Sequence, residues 1–258
     1  MIAKDKKSQV TIWVIVAVLL VSIILLFFLL RGKHGIEIFQ PTPQNPQQFI
    51  EKCARDATSE AIAIMLPQGG YISPTNYKLY ENNKVGYLCY TNKYYYSCIN
   101  QQPMYIKFLE KEIKSYIEPK IKDCFFTLKK EYQDKKYLVN DGILDFDVEL
   151  APKEVRIEID KKFEISRNEE SKRYENFRAR LNSPLYDLAV VAQEIASQEA
   201  KFCYFDYLDY SVKYPEFSIE KNQVGRAESV ADIYVIRDKT TEKELLIAIR
   251  SCAMPGGL

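Results

Sequence analysis

The sequence predicts an α+β protein with an N-terminal transmembrane helix followed by a disulfide-crosslinked extracytoplasmic domain of helices and antiparallel sheet. Three observations predict this: a long apolar run, six cysteines that all follow it, and separate blocks of helical and strand periodicity. The expected parts are a cytoplasmic leader at 1–9, a transmembrane helix at 10–30, a Pro-rich linker at 31–48 and an α+β domain at 49–258. A subdivision of that domain near 135–142 stays open.

The apolar run extends from Val10 to Leu30 and contains no charged residue, glycine or proline. At about 1.5 Å per residue such a helix spans about 31 Å, close to the thickness of the hydrocarbon core of a bilayer. A cleaved secretory signal is the alternative, but its apolar core is shorter and small residues follow it. Here Arg31 and Lys33 follow the run. We therefore expect an uncleaved signal-anchor that contacts the lipid bilayer.

The cysteines decide the expected orientation, because the charges around the run favour a cytoplasmic N-terminus only slightly. All six lie C-terminal to the run: Cys53, Cys89, Cys98, Cys124, Cys203 and Cys252. An even number of cysteines outside a membrane helix is typical of disulfides formed in an oxidising compartment. Buried free thiols in a cytosolic domain are the alternative. We expect a single-pass protein of the cell membrane with its C-terminal domain outside the cytoplasm.

Several pairings of these cysteines are open, and position favours one of them. Cys89 and Cys98 lie on the two arms of a predicted hairpin at 87–99. Cys53 and Cys124 fall on the apolar faces of two predicted helices, so that a bond between them would link the helices. Cys203 and Cys252 then remain for a third bond.

Helical and strand patterns occupy different parts of the chain. Apolar residues at three- and four-residue steps predict helices at about 46–66 and 104–130. A third helix is expected to begin at Ser183 as N-cap, with Pro184 in its first position. Alternating apolar and charged residues predict half-buried antiparallel strands. These are expected at 143–150, 154–160, near 162–166 and at 173–181, with a final hairpin from 229–238 and 244–252.

The composition excludes several classes of function. The only histidine, His34, lies beside the apolar run, so the globular domain has no imidazole for a catalytic triad, a His-ligated zinc site or a general base. Of 36 basic and 35 acidic residues, five and two lie in residues 1–37, which leaves 31 basic and 33 acidic side chains in the rest. This balance argues against nucleic acid as a partner. The phosphate-binding motifs GxGxxG and GxxxxGKS/T do not occur.

Three carboxylates on one strand face, Asp145, Asp147 and Glu149, are the strongest candidates for chemistry. They are suited to Ca²⁺ binding or to an acid–base pair. The favoured interpretation is a solvated sheet face paired with basic residues on neighbouring strands, because no Gly-containing calcium loop is present. We therefore expect no catalytic residue, no metal site and no cofactor, and hence no enzyme.

Tyrosines are the best candidates for a binding surface. Tyrosine gives a large contact area at low entropic cost, which suits a glycan or a protein partner. Ordinary packing in strands and core is the alternative, since tyrosine has a high β-propensity. The candidate residues are Tyr71, Tyr77, Tyr80, Tyr94, Tyr95, Tyr96, Tyr207 and Tyr210.

The N-terminal sequence KKSQVTIWVIVAVLLVSIILLFFLL resembles the class III, type IV pilin-like leader of archaeal surface proteins. The match comprises Lys6, Lys7, Ser8 and Gln9, and the resemblance implies cleavage between Ser8 and Gln9. The glutamate of the pilin pattern at the fifth mature position is Trp13 here. Through KxxQVTIxxI, FIEKC…LPQGGYI and SPLYDLAVVAQEIASQE, the chain also resembles a group of uncharacterised single-pass secreted proteins of small-genome archaea. This resemblance implies location and layout, and no activity.

Together these patterns predict a membrane-anchored, non-enzymatic cell-envelope protein. Its extracytoplasmic domain is expected to serve adhesion, interaction or assembly, with envelope proteins or glycans as partners. A pilin-like filament subunit is one alternative. Others are a membrane-tethered hydrolase that uses two carboxylates and an accessory subunit of a membrane complex.

Overall fold

The computed structural model describes residues 18–22, 45–93, 96–226 and 230–250. The chain divides into two compact units, Met1–Pro43 and Gln44–Leu258. Residues 18–22 are helical, and Ser22 Oγ donates a hydrogen bond to the carbonyl oxygen of Val18 at 2.8 Å. The rest of the predicted transmembrane helix lies outside the described residues. Within the described ranges, no helix is both long and apolar enough to cross a membrane.

The second unit is α+β, as predicted. Its three long helices follow the order that the sequence predicts, and a short fourth helix follows the third. They are α1 (Pro46–Met65), a 3-10 turn (Leu66–Gln68), α2 (Tyr105–Asp134), α3 (Leu185–Phe202) and α4 (Tyr207–Lys213). The three long helices confirm the apolar periodicity, since each buries the face that carries its apolar stripe.

The start of α3 differs from the prediction by one residue. Pro184 is the N-cap rather than the first helical residue, because its backbone angles, φ −80° and ψ 7°, are not helical. Ser183 still serves the helix end, since its Oγ accepts a hydrogen bond from the Leu185 N–H at 3.2 Å.

The strands form three sheets among the described residues. In chain order they are β1 (Tyr77–Tyr80), β2 (Asn83–Tyr90), β3 (Ile99–Asn100), β4 (Leu138–Asp141), β5 (Asp145–Ala151), β6 (Glu154–Asp160), β7 (Phe163–Arg167), β8 (Glu170–Tyr174), β9 (Phe177–Asn182), β10 (Phe217–Val224), β11 (Ala231–Asp238) and β12 (Lys243–Ile249). The largest sheet has the order β1-β2-β12-β11-β10, with β3 also paired to β2. The two smaller sheets have the orders β4-β7-β8 and β5-β6-β9.

The largest sheet corrects the expectation of purely antiparallel pairing. Strands β12 and β2 are parallel, with Ala248 opposite Tyr87 and Ile249 opposite Cys89. Parallel neighbours need a long connection between them, and here most of the domain lies between the two strands in sequence. The remaining pairs of this sheet are antiparallel, and the predicted final hairpin is confirmed by β11 and β12.

Strands β5 and β6 confirm the alternating pattern. Phe146 lies opposite Ile159 and Val148 opposite Ile157, and all four side chains are buried. The single strand expected at 173–181 is instead divided into β8 and β9. Asn176, between the two strands, has a φ of 55°, a left-handed conformation that interrupts an extended chain.

The core joins the inner faces of the three long helices to the sheets. Fully buried residues from different elements meet in it: Ile50, Ile113, Ile117, Ile157, Ala189, Ile195 and Ile247. A second, smaller cluster lies in the largest sheet and contains Val85, Tyr87, Ala231, Ile233, Leu246 and Ala248. Helix α3 packs on β11, β12 and β2, the central strands of this sheet.

Candidate functional site

Two disulfides confirm two of the three predicted cysteine pairs. Cys53–Cys124 links α1 to α2, with a Cα–Cα distance of 6.6 Å, and Cys89–Cys98 links β2 to the segment before β3, with a Cα–Cα distance of 5.3 Å. Cys203, the C-cap of α3, is also disulfide-bonded, and its predicted partner Cys252 lies outside the described residues. No described cysteine is a free thiol.

Tyr71 belongs to the core rather than to a binding surface. Its ring centroid lies 4.7 Å from that of Phe108, in a space that Gly86 leaves open. Its hydroxyl donates to the carbonyl oxygen of Tyr87 at 3.4 Å and accepts from Gln102 Nε2 at 3.2 Å. Burial raises the pKa of this phenol.

Tyr77 and Tyr80 lie on β1, one edge of the largest sheet. The Lys84 ammonium lies 5.1 Å from the centroid of the Tyr77 ring, whereas Tyr80 packs against the smaller apolar cluster. Tyr96 is exposed, with Lys93 Nζ 5.2 Å from its ring centroid. Tyr94 and Tyr95 lie outside the described residues.

Tyr207 and Tyr210 lie in α4 and are half-buried. The ring centroid of Tyr210 is 5.4 Å from that of Phe205 and 4.6 Å from that of Tyr214. Burial raises the pKa of Tyr210. Helix α4 contacts β10, the edge of the sheet opposite β1. Four strand spacings of about 4.8 Å put these edges about 19 Å apart, so the structure places the candidate tyrosines in separate regions.

The candidate carboxylates lie on the outer face of β5 and β6. The register places Asp145 opposite Asp160 and Asp147 opposite Glu158, beside a cavity of about 260 Å³. Lys114 Nζ lies 2.8 Å from Asp147 Oδ1. Arg178 Nε lies 3.7 Å from Glu158 Oε1, and Arg156 Nη1 lies 3.4 Å from Glu149 Oε2. These partners agree with a solvated, charge-paired sheet face, and no described His, Cys, Asp and Glu side chains form a group suited to a metal.

A buried polar network at the C-terminal end of α3 was not predicted. Glu199 is fully buried, and its Oε1 accepts hydrogen bonds from the Tyr234 hydroxyl at 2.5 Å and from Lys221 Nζ at 3.3 Å. Lys221 Nζ also lies 3.1 Å from Asp232 Oδ2. Residues of α3, β10 and β11 are thereby joined through one carboxylate.

The network raises the pKa values of Lys221 and Tyr234. Burial lowers the pKa of Lys221, but the carboxylates of Glu199 and Asp232 outweigh it, so the pKa lies above its usual value. Burial raises the pKa of Tyr234 far above the ordinary range, and the adjacent Glu199 carboxylate adds to the effect. The geometry therefore holds a neutral phenol and a charged ammonium against one carboxylate.

Phe205 continues this anchored region beyond α3. It is buried, and its ring centroid lies 6.1 Å from that of Tyr234. The next residue, Asp206, is the N-cap of α4, and its Oδ1 accepts from the Asp209 N–H at 3.0 Å. The connection between the two helices is therefore held to the sheet by buried contacts.

On the outside of this region the chain exposes four large apolar or aromatic side chains, which we call the α3–α4 surface. Phe202 is 55% exposed, Tyr204 59%, Leu208 66% and Val212 81%. Leu208 and Val212 are four residues apart in α4 and so share one face of the helix. The predicted binding residues Tyr207 and Tyr210 lie in this segment but are half-buried, and the exposed side chains belong to residues between and around them.

Comparison with known proteins finds no match to a protein-family model, to a curated protein or to a solved structure.

Proposed function

We propose that the chain is a non-enzymatic, membrane-anchored protein of the cell envelope, whose extracytoplasmic domain serves adhesion, interaction or assembly. The observation that carries this proposal is the set of cysteine crosslinks, Cys53–Cys124, Cys89–Cys98 and the bonded Cys203. Disulfides persist in oxidising compartments and are rare in the reducing cytosol. The apolar run from Val10 to Leu30 supports the anchor.

The buried carboxylates join helices to strands, which supports an interaction domain rather than an enzyme. Glu199 joins α3 to the sheet through Tyr234 and Lys221. Glu110 is also buried, and its Oε1 accepts a hydrogen bond from the Leu150 N–H at 3.1 Å, which joins α2 to β5. Both groups thus satisfy structural hydrogen bonds. The exposed aromatic and apolar side chains of the α3–α4 surface are a type of surface that binds partners.

The proposal is tested by thiol accessibility and topology of the full chain. In the purified, denatured but unreduced protein we expect no modification by an alkylating reagent, and six modified cysteines after reduction. In spheroplasts we expect an externally added protease to remove the domain after residue 45. Modification of all six cysteines without reductant, or digestion only after lysis, would contradict an extracytoplasmic location.

A further inference from the structure

We propose that the α3–α4 surface docks on the lipid surface of the membrane in which the chain is anchored. The inference deepens the proposed function and rests on its membrane anchor. In this arrangement lipid covers the side chains of Phe202, Tyr204, Leu208 and Val212. All four are large and apolar or aromatic, and each is more than half exposed. Exposed side chains of this kind, close together in sequence at the junction of α3 and α4, indicate an interaction site.

The chemistry of the surface suits the boundary between headgroups and acyl chains. Leucine, valine and phenylalanine insert among the acyl chains, and tyrosine is enriched at the headgroup level. Lysines lie at both ends of the segment: Lys201 Nζ is 4.8 Å from the centroid of the Phe202 ring, and Lys213 Nζ is 5.4 Å from that of Tyr214. Such ammonium groups reach lipid phosphates while their carbon chains stay in apolar surroundings.

Buried contacts fix the backbone of the segment that carries this surface. Phe205 and Glu199 are buried immediately behind it, and their contacts with Tyr234 fix the connection between α3 and α4. The backbone that carries the exposed side chains therefore needs little ordering on binding, which lowers the entropic cost of association.

The length of the linker favours lipid over a freely diffusing protein partner. Residues 31–45 lie between the predicted anchor and α1, and when extended they reach at most about 50 Å. A domain of this size has a radius of gyration of about 17 Å, so every face of it can reach the bilayer. A short tether keeps the effective concentration of the membrane in the millimolar range. A small apolar surface is therefore sufficient for docking.

Docking also fixes which side of the domain is presented to partners. Helix α4 lies against β10, and β1 is the opposite edge of that sheet. With α4 on the lipid, β1 with its exposed side chains Tyr77 and Leu79 is the edge strand farthest from α4 in the order of the sheet. That edge is then the one available to envelope proteins or glycans.

The test uses the full chain with a single reporter tryptophan. Trp13 is the only tryptophan, so Trp13→Phe gives a background in which Leu208→Trp reports on the surface. Leu138→Trp is the matched control, because Leu138 is an equally apolar residue, 77% exposed, on β4 of a different sheet. Each variant is reconstituted in phosphatidylcholine vesicles with and without brominated acyl chains.

We expect brominated lipid to remove most of the fluorescence of the tryptophan at 208 and to leave that at 138 unchanged. No quenching at 208, or equal quenching at both positions, overturns the inference. An indole at 208 that escapes bromine but is shielded from aqueous acrylamide indicates a protein partner or a second copy, and also overturns it. Flotation of the same vesicles distinguishes failure of the membrane anchor from failure of the docking. Protein that does not float with the lipid contradicts the anchor. Protein that floats but shows no quenching at 208 contradicts only the docking.

Discussion

The phenol of Tyr234 donates a hydrogen bond of 2.5 Å to Glu199 Oε1, and this contact joins the last turn of α3 to β11. Both residues are fully buried. A carboxylate in such a place is stable only when its charge is met by donors, and here Lys221 supplies a second one. The position of the α3–α4 surface therefore depends on a polar contact inside the domain.

Tyr234→Phe removes this donor and keeps the ring that packs on Phe205. We expect the free energy of unfolding to fall by about 1.5–3 kcal/mol, because the hydrogen bond is buried and its acceptor is charged. Urea denaturation of the fragment Gln44–Leu258, a compact unit with its own core, measures the loss. Tyr77→Phe, on the sheet edge, is the control and should change stability by less than about 0.5 kcal/mol. Equal losses in both variants would contradict the role given to Glu199.

The same network predicts a loss of stability at alkaline pH. The pKa of Lys221 is raised, so the folded state keeps a proton that the unfolded chain releases above about pH 10. The raised pKa of Tyr234 also reduces stability at alkaline pH. Burial is the larger cause of this shift and the Glu199 carboxylate the second, and both favour the neutral phenol. Stability from both groups is thus complete below about pH 10 and decreases as pH rises. Tyr132, whose pKa burial raises to about 12, adds to this decrease.

Lys221→Met isolates the contribution of the lysine. We expect the variant to be less stable than the parent at pH 8, because Glu199 and Asp232 lose their cation, and the difference to shrink toward pH 11. Lys84→Met removes an exposed lysine and is the control, so its free energy of unfolding should differ little from that of the parent at pH 8 and at pH 11. A Lys221→Met difference that stays constant with pH would exclude the proposed linkage.

Asp141 gives the corresponding test in acid. Burial raises its pKa, but hydrogen bonds from Lys129 at 2.7 Å and from Lys161 outweigh burial and hold the pKa below its usual value. Such a group stabilises the fold above about pH 4 and loses this effect as pH falls through its folded pKa. We expect Asp141→Asn to cost about 1–2 kcal/mol at pH 7, since solvent screens this half-buried site, and less near pH 2.

Denaturant titrations of the parent and Asp141→Asn at the two pH values measure this effect. Glu60→Gln is the matched control, because Glu60 also has two partners, Tyr116 and Lys120, but lies on an exposed helix surface. Its substitution should cost less than that of Asp141 at pH 7. A larger cost for Glu60→Gln would show that exposure does not decide the strength of these pairs.

Local periodicity was sufficient for much of the fold. Helices α1 to α3 and strands β5 and β6 were predictable because each has one apolar side that faces the core, at the spacing its geometry requires. The Cys53–Cys124 disulfide was predictable because its cysteines lie on two of these helices, and Cys89–Cys98 because its cysteines are nine residues apart in a predicted hairpin. The parallel pair of β2 and β12 was not, since no local pattern indicates which distant strands become neighbours.

The candidate site was predicted less well, for two physical reasons. Helix α4 is short and half-exposed, and its tyrosines have a higher preference for strands, so its helical spacing was not distinctive. The Glu199 network joins residues that are distant in sequence. One signal was present: Glu199 continues the buried stripe of Ala192, Ile195 and Ala196, where a charged residue requires a buried partner.

Gly86 allows a close approach that a side chain would prevent. A Cβ at this position would lie 2.4 Å from the Tyr71 ring and 3.0 Å from the carbonyl oxygen of Gln68. We expect Gly86→Ala to cost about 1–3 kcal/mol through overpacking. Gly142→Ala is the control, because its Cβ would come no closer than 3.4 Å to any neighbour, an ordinary contact. Thermal unfolding of both variants distinguishes them, and similar midpoints would exclude a steric role for Gly86.

The two disulfides should differ in their contribution to stability. Cys53–Cys124 closes a separation of 71 residues and Cys89–Cys98 one of 9. If a crosslink acts by restricting the unfolded chain, its effect grows with the logarithm of the loop, to about 4 kcal/mol for the first and about 2.5 kcal/mol for the second.

Replacing both cysteines of each pair by alanine, with the other bonds kept oxidised, tests this order in urea. The side chains of Cys89 and Cys98 are buried, so their truncation adds a packing loss that narrows the difference. A greater loss for Cys53→Ala/Cys124→Ala therefore means that chain restriction dominates. The reverse order would mean that packing around β2 contributes more than the link between α1 and α2.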